Sequence, residues 1–188
     1  DRAIVSEIPG TTRDPIDTLG RDEDGTILLI DTAGIRRRGS IDRGIEKYSV
    51  LRAIRAIDRA DVAVLVMDAS ELATAQDSHI SNYILGAYKG IVLAVNKWDL
   101  SGELDLTSEE AMRSVAQRFN FASFAPRCFI SALNGTGTKE LLKSVRKVHV
   151  EWSKGLPRYG LRRTILSALA QHPPPTTGRH ALKVYSVA

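Results

Sequence analysis

The sequence predicts an α/β fold, an open and mostly parallel sheet flanked by helices. From residue 62 to residue 152, short apolar runs alternate with longer segments of helical periodicity, the pattern of strands joined by crossover helices. Two of those runs, 62–67 and 91–95, are almost unbroken in Val, Leu, Ile, Ala and Met, as expected of strands covered on both faces.

The first strand is predicted at 14–20 and the second at 26–31, joined by the turn Asp22-Glu23-Asp24-Gly25. This hairpin is expected to add an antiparallel edge to the sheet. A helix over 42–59 follows, with Ile45, Tyr48, Leu51 and Ile54 on one face. After the strand at 62–67, a helix near 75–87 leads to the strand at 91–95, and a helix at 108–119 leads to a strand at 126–130. A helix over 138–152 closes this part of the chain.

Gly155-Leu156-Pro157 reads as a linker. Beyond it, Leu161, Ile165, Leu166 and Leu169 mark an amphipathic helix stopped at His172-Pro173-Pro174-Pro175, where the triple proline serves as a rigid connector. A strand is expected at 181–187. One helix and one strand cannot bury a core alone, so in a division into 1–154 and 155–188 the second part must either dock on the first or belong to a unit cut short.

Composition excludes several classes. With 43% hydrophobic and 26% charged residues the chain falls in the ordinary soluble globular class, and no run approaches the ~18–20 apolar residues of a membrane span. No signal-peptide pattern leads the chain, and the expected location is the cytoplasm. Cys128 is the single cysteine, so no internal disulfide can form, and within Arg127-Cys128-Phe129-Ile130 it reads as a buried strand thiol. His79, His149, His172 and His180 have no metal-ligand spacing. Charge is uneven: residues 1–140 hold 17 Lys+Arg against 21 Asp+Glu, and residues 141–188 hold 9 against 1. The basic stripe of Lys143, Arg146, Lys147, Lys154, Arg158, Arg162, Arg163, Arg179 and Lys183 is a nucleic-acid candidate.

Three short strings follow predicted strands in order: Asp31-Thr32-Ala33-Gly34, Asn96-Lys97-Trp98-Asp99 and Ser131-Ala132-Leu133. Each alone is weak; their order and strand-end placement together describe a guanine-nucleotide pocket. The Asp99 carboxylate can accept from the guanine N1–H and its exocyclic amine together, a donor pair that adenine lacks, at about 1.5–3 kcal/mol per charge-assisted bond. Asn96 would contact the N7 side of the base and tie neighbouring loops, and the alkyl stem of Lys97 would cover one face of the base. Trp98 packs the outside of the loop. Asp31 can reach Mg2+ through a water, and Gly34 leaves room for a backbone N–H at the terminal phosphate.

Upstream lies the polar loop Pro9-Gly10-Thr11-Thr12-Arg13-Asp14, in which a Thr hydroxyl could complete the magnesium shell when triphosphate is bound. Together with Asp31-Thr32-Ala33-Gly34-Ile35-Arg36-Arg37-Arg38 and Gly44-Ile45-Glu46-Lys47-Tyr48-Ser49-Val50-Leu51-Arg52, this loop resembles the bacterial ribosome-assembly GTPase family called Der or EngA. Its members carry two GTPase domains followed by a small KH-like domain. The resemblance is to the second GTPase domain and continues into His172-Pro173-Pro174-Pro175, which looks like the start of the KH-like domain.

The resemblance implies a P-loop NTPase-like, Ras-like fold over 1–154 and the beginning of a KH-like RNA-binding domain over 155–188. It makes Thr12 the magnesium-facing threonine, with Thr11 as the alternative, and Asp31, Thr32, Ala33, Gly34 and Ile35 the phosphate-sensing segment. Asn96, Lys97, Trp98 and Asp99 become the base reader. The Ala132 backbone N–H, between Ser131 and Leu133, approaches the guanine carbonyl oxygen. Ile35 stands where Ras-like enzymes place a water-orienting Gln, and similar proteins with an apolar residue there hydrolyse slowly, often helped by K+ or a partner. Arg36, Arg37 and Arg38 are either transition-state charge or a solvated, RNA-facing triplet.

One departure stands out. No Gly-x-x-x-x-Gly-Lys-Ser/Thr phosphate loop occurs in the sequence, and the family pattern would put it upstream of Asp1 with its strand and helix. With no initiator Met and a strand-like run at its end, the chain reads as a piece of a longer protein truncated at both ends. Loss of a central strand would leave a gap with unpaired edges on both sides.

The implied function is GTP binding and Mg2+-dependent hydrolysis, with the nucleotide state switching contact with ribosomal RNA during large-subunit assembly. The piece alone is expected to be inactive. Two alternatives stand beside it. A tRNA-modifying GTPase relative shares the Thr-Thr-Arg-Asp and Asp-Thr-Ala-Gly strings but would end in a helical tail with a cysteine motif. A non-catalytic RNA-binding scaffold would keep the base-reading loop as a relic and turn over no GTP.

Overall fold

A computed structural model of the chain describes residues 17–22, 24–32, 53–155 and 157–172. Two compact units divide between Trp152 and Ser153.

The first unit opens with a hairpin, β1 (Asp17–Asp22) and β2 (Gly25–Ile30), paired antiparallel with Asp17 opposite Ile30 and Asp22 opposite Gly25. Gly25 has φ 120°, a conformation that a side chain would strain. The hairpin tip is held from outside its own strands: Arg146 donates from Nη1 to the Asp24 carbonyl at 3.1 Å and from Nη2 to the Gly25 carbonyl at 3.2 Å.

The central sheet is parallel, in the order β3 (Val62–Asp68), β4 (Gly90–Asn96), β5 (Arg127–Phe129). Four helices belong with it among the described residues: α1 (residues 53–59), α2 (Ala75–Gly86), α3 (Ser108–Arg118) and α4 (Thr138–Trp152). The mixed α/β class follows directly from the alternating pattern. The hairpin does not extend this sheet as the sequence suggests; it forms a two-stranded sheet of its own. Among the described residues no strand pairing joins β2 to β3.

Period-two alternation sorts the strand residues onto two faces. Leu65 and Met67 of β3 and Ile91, Leu93 and Val95 of β4 join Ile57 of α1, Ile84 of α2, and Val115 and Phe119 near α3 in one buried cluster. Gly90, Val92 and Ala94 face the other way, toward α4. A Cβ on Gly90 would come within 2.7 Å of Val148 Cγ1, so glycine is what lets α4 approach the strand. Cys128, opposite Ala94, shares that face, and its thiol lies 3.5 Å from Ser144 Oγ of α4. It is half-buried rather than fully buried, because α4 contributes no fully buried residue to this side. For the same reason the expectation that β3 is covered on both faces is corrected at Val66, which is 54% exposed.

Both α2 and α3 begin with reciprocal capping boxes. Thr74 accepts from the Asp77 N–H while Asp77 accepts from the Thr74 N–H, and Thr107 and Glu110 do the same. The Glu110 carboxyl is held below its ordinary range by the hydrogen bonds from Thr107.

The second unit contains α5 (Arg158–Gln171), entered through Pro157 and ended at His172, whose N–H donates to the Ala168 carbonyl at 2.8 Å. Leu161, Ile165 and Leu169 form its half-buried stripe, while Leu166 is 44% exposed. The expected strand at 181–187 and most of the expected helix at 42–59 lie outside the described residues. Among the described residues no helix is long and apolar enough to cross a membrane.

Candidate functional site

The strands β3, β4 and β5 deliver their C-terminal ends to one edge of the parallel sheet, the edge where open α/β sheets hold ligands. Asp68 lies opposite Asn96, and Val95 lies opposite Phe129, so three loops leave the sheet side by side.

The middle loop carries Asn96, Lys97, Trp98 and Asp99. Asn96 is half-buried; its carbonyl accepts the Ala69 N–H and its side-chain Oδ1 accepts the Ala132 N–H, both at 2.9 Å. One amide residue thus ties all three loops together. Lys97 follows with φ 62° and ψ 34°, a left-handed conformation uncommon outside glycine, and turns the chain into a single 3-10 turn over Trp98–Leu100. The Trp98 N–H donates to the Ile130 carbonyl at 3.0 Å, and its ring lies against Phe129 with centroids 4.3 Å apart. That is the packing role expected of it. Asp99 is exposed, and its carboxylate forms no hydrogen bond or ion pair among the described residues.

The third loop is built around Ser131, which is buried and bonded to its own turn. Its N–H donates to the Thr136 carbonyl at 2.9 Å, its carbonyl accepts the Gly135 N–H at 2.9 Å, and its Oγ accepts the Asn134 N–H at 3.4 Å. Gly135 and Gly137 have φ 81° and 73°. A Cβ on Gly137 would run into the Phe129 carbonyl oxygen. Ala132 and Leu133 are exposed at the loop tip. The Ala132 N–H, which the resemblance gives to the guanine carbonyl oxygen, is here donated to Asn96 Oδ1.

None of the sequence motifs singles out Asp68, which ends β3 directly beside Asn96 at this edge. Lys97 Nζ approaches Asp68 Oδ2 at 2.8 Å, and Asp68 Oδ1 accepts from the Ser70 N–H at 3.0 Å and Ser70 Oγ at 2.8 Å. Burial pushes this carboxyl up, but the Lys97 and Ser70 hydrogen bonds with the Lys97 charge outweigh it and hold the group at about 2, below 3.8. The signal that could have found it is an acidic residue directly after an apolar run, in the strand preceding Asn96-Lys97-Trp98-Asp99.

Asp31 and Thr32 stand exposed just beyond β2, at the end of the other sheet. Thr11, Thr12, Ala33, Gly34, Ile35 and the triplet Arg36, Arg37 and Arg38 lie outside the described residues. The Asp31 carboxylate is a hard oxygen donor suited to Mg2+. Among the described residues no group of three or more His, Cys, Asp or Glu could hold a metal ion.

A family model described as a 50S ribosome-binding GTPase matches residues 1–97. The chain belongs to the 50S ribosome-binding GTPase family. Within that family it is similar to GTPase Der of Chloroflexus aggregans, 47% identical over 189 residues, covering 100% of this chain and 42% of the relative. GTPase Der of Chloroflexus aurantiacus is 53% identical over 142 residues, covering 76% and 32%. These are relatives of the type that the Der or EngA resemblance named. The chain thus spans about two fifths of the length of the curated relatives it matches across its whole extent. Among solved structures, Era in complex with MgGDPNP and nucleotides 1506-1542 of 16S ribosomal RNA superposes with a TM-score of 0.65 at 24% identity, covering 82% of this chain and 50% of that one. That likeness confirms the fold class of this 50S ribosome-binding GTPase family member.

Proposed function

We propose that the protein binds and hydrolyses GTP with Mg2+, acts in assembly of the large ribosomal subunit, and uses its nucleotide state to alter contact with ribosomal RNA. The observation that carries the guanine assignment is the paired strand-end geometry: Asn96 ties the third loop through Ala132 while the neighbouring Asp99 carboxylate stays free among the described residues. A carboxylate held on a rigid turn and left without a protein partner suits the two donors on the Watson–Crick edge of guanine.

In this proposal Asn96, Lys97, Trp98 and Asp99 form the base reader with Ser131, Ala132 and Leu133. Thr12 and Asp31 face the magnesium, and Thr32, Ala33, Gly34 and Ile35 sense the terminal phosphate. Bound Mg2+ would offset phosphate charge and orient the terminal phosphoryl group. Without a Gln at Ile35 the protein must orient water by other means, which favours slow turnover aided by K+ or a partner. Residues 1–154 are proposed as the GTPase domain and residues 155–188 as the start of a KH-like domain, whose basic residues meet RNA phosphates in the cytoplasm. The family description and the identity to GTPase Der support this over a tRNA-modifying relative or a scaffold without turnover.

The test is Asp99→Asn in the full-length protein, with equilibrium binding of GDP and xanthosine diphosphate. Replacing the acceptor pair by an amide should shift preference from guanine toward xanthine. Unchanged guanine preference would sink the base-reader assignment.

A further inference from the structure

Lys97 has a demanding position. Its backbone is left-handed, its side chain is half exposed, and its ammonium lies 2.8 Å from Asp68 Oδ2 at the sheet edge. A free lysine in water samples many rotamers, and fixing its four methylenes for ligand contact costs side-chain entropy, which a partner that orders the stem beforehand reduces.

We infer that Asp68 is a positioning residue for nucleotide binding: by accepting Lys97 Nζ at the end of β3 it lays the lysine stem across the face where the base sits. Three features fit this role. The Asp68 side chain is only 10% exposed against 49% for Lys97, so the acid is the fixed partner and the lysine the guided one. One of its oxygens, Oδ1, accepts from the Ser70 N–H and hydroxyl, while Oδ2 meets the ammonium. The in-register pairing of Asp68 with Asn96 places the acid beside the residue that precedes Lys97, a separation set by sheet geometry rather than by a loop.

This rests on the guanine-pocket proposal, and the experiment separates the two. In the full-length protein, GDP affinity and release rate are measured with a fluorescent analogue for Asp68→Asn, Lys97→Met, Lys97→Arg and the double variant Asp68→Asn/Lys97→Met. If Asp68 acts through Lys97, Asp68→Asn weakens binding about tenfold, and adding it to Lys97→Met costs nothing further. Lys97→Arg, which keeps the ion pair, should recover most of the affinity lost in Lys97→Met. Additive losses in the double variant would overturn the inference, as would Lys97→Arg binding no better than Lys97→Met. With folding of the Lys97 variants checked by circular dichroism, the Arg and Met pair decides the matter even where Asp68→Asn does not fold. Asp99→Asn serves as the control: failure of the xanthine shift overturns the pocket itself, whereas a shift accompanied by additivity overturns only the role of Asp68.

Discussion

Asn96 Oδ1 accepts the Ala132 backbone N–H at 2.9 Å, joining the loops after β4 and β5 across 36 residues of sequence. Asn96 ends β4 and Ala132 lies beyond β5, so the bond continues the contact between them past the β4–β5 ladder, which ends at Val95 and Phe129.

Replacing Asn96 with Ala should therefore loosen the third loop as well as remove a base contact. A lost hydrogen bond of this exposed kind costs about 0.5–1.5 kcal/mol. Urea unfolding should show a small loss, and amide exchange at Ala132 should rise while that at Val92 in β4 stays slow. Equal acceleration at both positions would show that the bond supports the whole sheet.

Gly137 has φ 73° and no room for a Cβ beside the Phe129 carbonyl. Gly137→Ala combines a left-handed alanine, costing about 1–2 kcal/mol, with a backbone clash. A clear drop in the thermal midpoint is expected. An unchanged midpoint would mean that the turn can reshape without cost.

Asp68 confers an acid-side pH dependence. Its folded value is about 2 against 3.8 for the unfolded chain, so its contribution is complete above 3.8 and disappears as pH falls toward 2. The stability difference between wild type and Asp68→Asn should accordingly shrink over that window. Chemical denaturation at several pH values between those limits measures it, and a difference that stays constant would remove Asp68 as the cause.

Arg146 donates to the carbonyls of Asp24 and Gly25 from α4, fastening the hairpin tip. Arg146→Ala should speed amide exchange along β1 and β2 while leaving β4 protected. Unaltered exchange in the hairpin would show that its own ladder suffices.

Strand and helix positions were legible where period and length agreed. The run 91–95 is apolar on both sides because both faces are covered at β4, and α4 spans 138–152 as its periodicity indicates. Val66 was not legible, since an apolar residue reads alike whether or not a helix reaches over it. The separation of the hairpin from the main sheet depends on which strands pair, which composition does not encode. At the site, Asn96 and Asp99 announced themselves through a four-residue string. Asp68 did not, because its meaning arises only from standing opposite Asn96 in a neighbouring strand.

That parallel register also limits how this sequence can drift. Between Val62 and Asp68, or Gly90 and Asn96, adding or removing one residue would swap the two faces of the strand and carry Asp68 away from Lys97. Such a change would damage the core and the ion pair in one step. Divergence here must proceed by exchanging side chains at constant length, while the stretch 101–106, exposed over most of its span, can absorb insertions.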